Sequence, residues 1–297
     1  MKIRIESDQK NCKKLWNRFG HPSSIFSEWD FRMSFFTPAV HRLHFMHFQV
    51  ANEEIAAPLW YDKEKKYYEW FGGEFCEDNV FLAKKKPDIK TIIASLPRPL
   101  LAKAIVDSSP FYKKDEIKYI RSVSFVKNLE QLLRLFSKKH RYNLKRGYGQ
   151  IKRLSPKIRW ITDVKDGRKY LSRLVKLSKR RFPEGNEDES IFFRKHMEGC
   201  FLALIKNQKS YRLKLLIVEI KNKTAAVDII AIYKNRYYPL IGSNDLVHFP
   251  AVGNFTTYLE FEDALKNGCD LIDALQGDCN WKHRYFDKQP LYKFERK

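Results

Sequence analysis

The sequence predicts an α/β chain with a mixed sheet in each of two similar halves. Three observations carry that expectation. From Lys157 onward the apolar pattern switches between strand-like and helix-like periods in a definite order. The first half repeats that order more faintly. The length of 297 residues also exceeds the roughly 100–200 of a usual single domain. Internal duplication explains the length, although the repeat lies in element order and not in a direct match of residues.

In the first half KIRIES reads as a strand, and NCKKLWNRFG and FSEWDFRMSFF as short helices. HRLHFMHFQVANEEIAAPLWYDKEKKYYEWFGG then reads as a three-strand meander. DIKTIIASL with PLLAKAIV is expected to be helical, and the strand KYIRSVSFV completes the set. Between the halves, LEQLLRLFSKKHRYNLKRGYGQIKRL is expected to form one amphipathic helix with Leu129, Leu132, Leu133 and Phe136 on its apolar face. From Arg134 to Arg159 it carries ten Lys and Arg and no acid.

In the second half KIRWITDV alternates like a strand, and GRKYLSRLVKLSKRRF places Tyr170, Leu171, Leu174 and Leu177 at helical spacing before Pro183 and Gly185. ESIFFRKHMEGCFLALIKN is a second helical stretch. Three strands follow, YRLKLLIVEIK, TAAVDIIAIYK and RYYPLIGSN, separated by the turns KNK and NR. FTTYLEFEDALKNG is a helix that stops at Gly268, where a left-handed cap suits glycine. DLIDALQG is a short buried strand, and the cluster Gly277, Asp278, Trp281, Lys282 and Arg284 stands before a last strand. The expected division is an N-terminal domain over 1–126, a basic linking helix over 127–156 and a C-terminal domain over 157–297.

Lys and Arg outnumber Asp and Glu by 57 to 35, a formal charge of +22. That excess favours polyanionic partners: nucleic acid, phosphorylated carriers or anionic lipid headgroups. The five cysteines are scattered and never form a C-x-x-C pair, which argues against a disulfide framework or a zinc site and for a reducing, cytoplasmic location. No apolar run approaches the ~20 residues of a membrane span, and the start MKIRIESDQKNCKK lacks the apolar centre of a signal peptide. Any membrane contact is then expected to be peripheral.

The order strand, two helices, three meandering strands, helix, strand is that of the GNAT acyltransferase fold, so two GNAT-like domains in tandem are expected. Three segments sharpen this: KKHRYNLKRG (Lys138 to Gly147), the FPAVGNF turn and the terminal GD-x-x-WK-x-R element. With them the chain resembles the cellulose-biosynthesis-associated GNAT acyltransferases, relatives of the Fem-type aminoacyltransferases. The resemblance spans the second half and, weakly, the first. In that group a Pro-Gly pair opens the helix, whereas here Ala251 and Val252 separate Pro250 from Gly253. The Arg/Gln-x-x-Gly-x-Gly loop of ordinary acetyl-CoA users does not occur.

The first N–H groups of a helix lack partners and sit at the positive end of its dipole. Val252, Gly253 and Asn254 are therefore candidates to cradle a pyrophosphate or a tRNA-borne phosphate; Asn254 as an ordinary helix cap is the alternative. Lys282 and Arg284 are candidates for a phosphate or carboxylate, Arg284 with the more rigid fork. Asp278 is a candidate to orient Lys282 or accept a proton, or it caps the turn that follows it. Trp281 reads as core. Acyl transfer to an amine needs a base, and Asp245, after the third strand, ranks ahead of Asp273 within LIDAL. Tyr238 is a candidate acid, or a sheet aromatic. Arg141, Asn143, Lys145 and Arg146 form a candidate anion clamp, since Arg141 and Lys145 share a helix face. His41, His44 and His47 alternate across a strand and are not expected to bind metal.

The expected activity is acyl transfer (EC 2.3 class) from acyl-CoA or an acyl carrier to an amine or hydroxyl. What the resemblance implies is direct transfer, without an enzyme-bound intermediate or a metal. The alternatives are a Fem-type transferase using aminoacyl-tRNA for cell-wall or lipid modification, and a non-catalytic binder of nucleic acid or anionic surfaces.

Overall fold

The structure is a computed structural model that describes residues 1–20, 23–85, 88–185 and 189–297, with the backbone alone at 164–166. The chain divides into two compact units, residues 1–117 with 290–297, and residues 118–289. The basic segment 127–156 thus lies inside the second unit, and the chain end returns to the first.

The first unit contains β1 (Lys2–Glu6), α1 (Gln9–Phe19), α2 (Trp29–Met33), β2 (His41–Val50), β3 (Glu53–Asp62), β4 (Tyr67–Trp70), β5 (Leu82–Ala83), α3 (Lys90–Ile93), β6 (Leu100–Ile105) and the start of β7 (Lys113–Ser122). Asp8 starts α1 by accepting from the Asn11 N–H at 2.9 Å, the usual way to satisfy an orphan donor. β1 to β4 form an antiparallel meander. β4 then pairs in parallel with β6 at Tyr68 and Leu100. The outer neighbour of β6 is the chain end, antiparallel from Tyr292 opposite Ile105 to Arg296 opposite Leu100. PLLAKAIV is therefore a strand and not the expected helix. Its burial alternates around the exposed Lys103, but Leu101 on the less buried face is as apolar as Leu100, so a run this short does not separate strand from helix.

The second unit contains α4 (Leu129–Arg134), α5 (Lys138–Lys152), β8 (Lys157–Ile161), α6 (Val164–Arg181), α7 (Met197–Lys206), β9 (Arg212–Ile220), β10 (Lys223–Tyr233), β11 (Arg236–Asn244), α8 (Val252–Lys266), β12 (Leu271–Gln276) and the start of β13 (Asp287–Arg296). The single basic helix expected from the sequence is two, because Asn128 and Ser137 each cap a new start by accepting from Gln131 and His140 N–H groups. β8 to β11 form an antiparallel meander. β11 pairs in parallel with β12, and β12 antiparallel with β7. Both units thus have one topology, a four-strand meander, a parallel neighbour and an antiparallel outer strand. The chain end supplies the outer strand of the first, and the strand leaving the first half supplies that of the second.

β10 is the buried centre of the second sheet, with Ala225 to Tyr233 all inaccessible or nearly so. Each large aliphatic side chain there contributes about 1.5–3 kcal/mol. α5 crosses the start of α8 closely because residue 147 is glycine: a Cβ there would lie 2.6 Å from the Asn254 Cβ. Tyr148 completes the crossing by stacking on Phe255 and Tyr258 at 5.2 and 4.0 Å. Gly147→Ala is expected to cost about 1–3 kcal/mol, as overpacking does, read as a lower denaturation midpoint.

Candidate active site

The site is built where β11 parts from β12. The parallel ladder holds only Arg236 opposite Leu271 and Tyr237 opposite Ile272. Beyond Tyr237, β11 runs on to Asn244 with its β12-facing edge unpaired, and the loop from Asp245 leads into α8. Opposite, β11 is held to β10 with a bulge between Ile229 and Ile230.

α8 begins three residues earlier than its apolar pattern suggests, so Val252, Gly253 and Asn254 form its first turn. The Val252 N–H donates to the Phe249 carbonyl at 3.0 Å. The Gly253 and Asn254 N–H groups have no partner among the described residues and are open donors. A Cβ at Gly253 would meet only Asn244 Nδ2, at 3.5 Å, so the space over this turn is free.

Asp245 is 4% exposed and fully engaged. It accepts from the His248 N–H at 3.2 Å, lies 2.9 Å from His248 Nδ1 and pairs with Arg180 at 2.6 Å. Burial works against its charge, yet the His248 hydrogen bonds and Arg180 hold the carboxyl below its usual range. The residue ties the β11–α8 loop to the end of α6 as a permanent anion. Asp278 behaves alike. Burial opposes its charge, but the His283 N–H at 2.9 Å and His283 Nδ1 at 2.6 Å keep it low.

Lys282 is buried and donates to the Gln276 carbonyl at 2.7 Å, while Arg284 donates to the Asn280 carbonyl at 2.7 Å. Both therefore brace their own loop, which His140 of α5 joins through the Arg284 carbonyl at 3.2 Å. Trp281 packs edge-on against Phe286. Tyr238 is inaccessible within β11. Asp273 and Lys118 form an almost inaccessible ion pair at 2.8 Å. On α5, Lys145 is taken by Glu130 at 2.8 Å, and Arg146 lies over the exposed Tyr142 ring. Arg141 and Asn143 have no side-chain partner among the described residues. Gly147 against Asn254 brings the middle of this basic helix to the first turn of α8.

A cluster of acids escaped sequence reasoning. Asp228 of β10 stands opposite Gly242 of β11, and a Cβ on Gly242 would lie 1.9 Å from Asp228 Oδ1. Glycine is required there to admit the carboxylate. Asp228 is 5% exposed, and its Oδ2 has no hydrogen-bond partner. Burial pushes its carboxyl up to about 7, with Arg181 drawing it back. Glu260 of α8 keeps some solvent contact, and burial, Asp228 and Asp263 push it well above the usual range. Asp263 itself is bound by Lys214 at 2.5 and 2.8 Å and accepts from the Tyr237 hydroxyl at 3.2 Å. An acid inside the strand pattern VDII was the available signal.

His41 stacks on Trp60 at 3.9 Å, and His44 packs on Tyr68. Among the described residues no three His, Cys, Asp or Glu converge as metal ligands, and no helix is long and apolar enough to cross a membrane.

An antiparallel meander, a splayed parallel pair and a helix starting at the splay define the GNAT fold, here in tandem. Residues 138–283 match the family described as an acetyltransferase (GNAT) domain. Among solved structures the chain is similar to FemX, at 12% identity over 100% of this chain and 98% of that one, with a TM-score of 0.59. L-PGS from Bacillus licheniformis matches at 12% identity over 100% and 94%, TM-score 0.57. A tandem GNAT protein from the clavulanic acid biosynthesis pathway matches at 9% over 99% and 98%, TM-score 0.52. At such identities the likeness is one of fold. No curated protein matches the sequence.

Proposed function

We propose that this chain is an acyltransferase whose second unit holds a phosphate-bearing acyl donor, with acyl-CoA as the first choice. The observation that carries this reading is the unpaired edge of β11 leading into a helix whose Gly253 and Asn254 N–H groups are open. These donors and the helix dipole suit a pyrophosphate, and Arg141 on α5 adds a cation. N–H groups along the open edge of β11 polarise the acyl carbonyl as an oxyanion site. The acceptor amine or hydroxyl attacks the carbonyl carbon, the C–S bond breaks, and the thiolate leaves with a proton. Asp228 takes the acceptor's proton and returns it to the leaving thiolate, because burial raises its carboxyl to about 7; Glu260 is raised in the same direction by burial and Asp228, whereas Asp245 and Asp278 are held ionised. In this reading Asp245 anchors the donor loop, and Lys282 and Arg284 brace the opposite wall. The FPAVGNF and GD-x-x-WK-x-R segments support kinship with the cellulose-associated group, and the free cysteines support a cytoplasmic site of action.

The charge of +22 favours a second reading, in which aminoacyl-tRNA is the donor. Thermal stabilisation separates the two: CoA thioesters alone stabilise in the first, charged tRNA alone in the second. Stabilisation by neither, with RNA affinity that falls steeply with salt, would point instead to a non-catalytic binder.

Gly253→Ala provides a sharper test of the cradle. Space is free and the backbone is helical, so the variant gains about 0.5–1 kcal/mol of stability. The methyl stands in the anion's approach, and donor affinity is expected to fall about tenfold or more, the worth of one charge-assisted hydrogen bond. Isothermal titration with acetyl-CoA reads the second effect and thermal melting the first.

A further inference from the structure

The outward side of α5 carries a repeat that the donor site does not use. Between Glu130 and Asp163 the sequence has no acid. Lys138 with Lys139, Lys145 with Arg146, and Lys152 with Arg153 are three cation pairs, each seven residues after the last. Seven residues make nearly two whole turns, so the pairs recur on one face about every 10.5 Å. All six residues are exposed, whereas Leu144, Gly147 and Ile151 on the opposite face are buried. Among the described residues only Lys145 has an acidic partner, Glu130. A solvated helix face ordinarily mixes both signs, because opposite charges three or four residues apart attract and like charges repel. Six cations held together without an acid suit a polyanion.

The apolar groups on and beside this face decide which polyanion. Tyr142 lies between the first two pairs, is 63% exposed and has Arg146 over its ring. Leu135 just before the helix and Leu154 just after it are 42% and 38% exposed. Aliphatic side chains gain nothing from the phosphates of a nucleic acid. Beneath the anionic headgroups of a bilayer lies an apolar layer that receives them, and tyrosine favours that boundary.

We propose that α5 docks the second unit on an anionic phospholipid membrane. The three cation pairs lie among the headgroups, and Tyr142, Leu135 and Leu154 reach the edge of the acyl layer. Charge alone gives reversible attraction, and the three apolar side chains supply the second signal that lasting attachment needs. The start of α8 packs at Gly147, on the opposite face of α5. Docking and donor binding therefore use different sides of this helix, and the inference does not depend on the donor.

The test is co-sedimentation of the full chain with phosphatidylcholine vesicles, with and without phosphatidylglycerol, beside anisotropy of a fluorescent RNA hairpin. Saturable binding to the anionic vesicles and none to the neutral ones is expected. Lys152→Gln with Arg153→Gln should weaken it about tenfold or more, at ~1 kcal/mol for each cation near the surface. Adding Lys138→Gln and Lys139→Gln should abolish it. Tyr142→Ser should remove much of the binding that survives high salt, where the charge attraction is screened. These positions are exposed; unchanged melting temperatures report intact folding, and acetyl-CoA titration reports on the donor site separately. Equal binding to both kinds of vesicle, binding to neither, or vesicle binding indifferent to the α5 substitutions would overturn the proposal. RNA binding that those substitutions weaken, with vesicle binding absent, would assign the face to nucleic acid and overturn it equally.

Discussion

Asp228→Asn is expected to lower the rate of acyl transfer by roughly 10²–10⁴-fold, the usual contribution of a positioned base, while leaving donor affinity intact. In the wild-type protein the rate is expected to rise with pH through about 7, where burial places the carboxyl, because the base acts only when deprotonated. The variant should lose that inflection. Stability moves the other way. A carboxyl whose folded pKa is raised above its unfolded value binds more protons in the native state, so the native state loses stability as pH rises from about 4 to 7. At pH 8 the ionised, buried Asp228 costs on the order of a few kcal/mol. Asp228→Asn should therefore raise the melting temperature at pH 8 and change it little at pH 4. A slower enzyme that is more stable only at high pH is a combination that a purely structural aspartate does not produce. An activity loss without the change in pH profile would remove Asp228 from the proton path.

Lys214→Met should have the largest effect on stability. Lys214 is buried, lies 4.5 Å above the Trp160 ring and holds both oxygens of Asp263. Methionine keeps the stem's packing and removes the charge, which leaves Asp263 uncompensated beside Glu260 and Asp228 in an already acidic cluster. Breaking one partner of a buried pair costs about 3–5 kcal/mol. Adding Asp263→Asn should restore much of that, because the unpaired charge goes and the amide still meets the Tyr237 hydroxyl. Chemical denaturation of the two variants measures both steps. A single variant as stable as wild type would mean that water reaches Asp263 freely.

The legible part of this chain was its periodicity. KIRWITDV, TAAVDIIAIYK and RYYPLIGSN fell where β8, β10 and β11 lie because each meander strand is bounded by turn residues. Gly268 marked the end of α8, and it does take the left-handed conformation, with φ of 65°. What misled was local: the alternation of PLLAKAIV around Lys103 is too short to exclude a helix, and one basic helix became two because Ser137 is a cap whose signal is a single hydroxyl. Exchange of the outer strands was invisible, since partners as far apart in the chain as Leu271 and Ser122, or Arg296 and Leu100, leave no mark in one sequence. The candidate site was marked in the sequence at Gly253 and Asn254, which lie in the first turn of α8 with open N–H groups. It was not legible at Asp228. An acid in a buried strand is informative only when its neighbour across the ladder, Gly242, is known to make room for it. Conversely, the polar residues most conspicuous in the sequence, Asp245, Asp278, Lys282 and Arg284, spend their bonding capacity on the loops that frame the site.

Amide chemical shifts of ¹⁵N-labelled protein titrated with acetyl-CoA test most directly whether a phosphate-bearing acyl donor binds at the start of α8. Saturating shifts are expected at Gly253 and Asn254, with further shifts along β11 beyond Tyr237. Saturable binding that leaves those amides unmoved would contradict a donor site there.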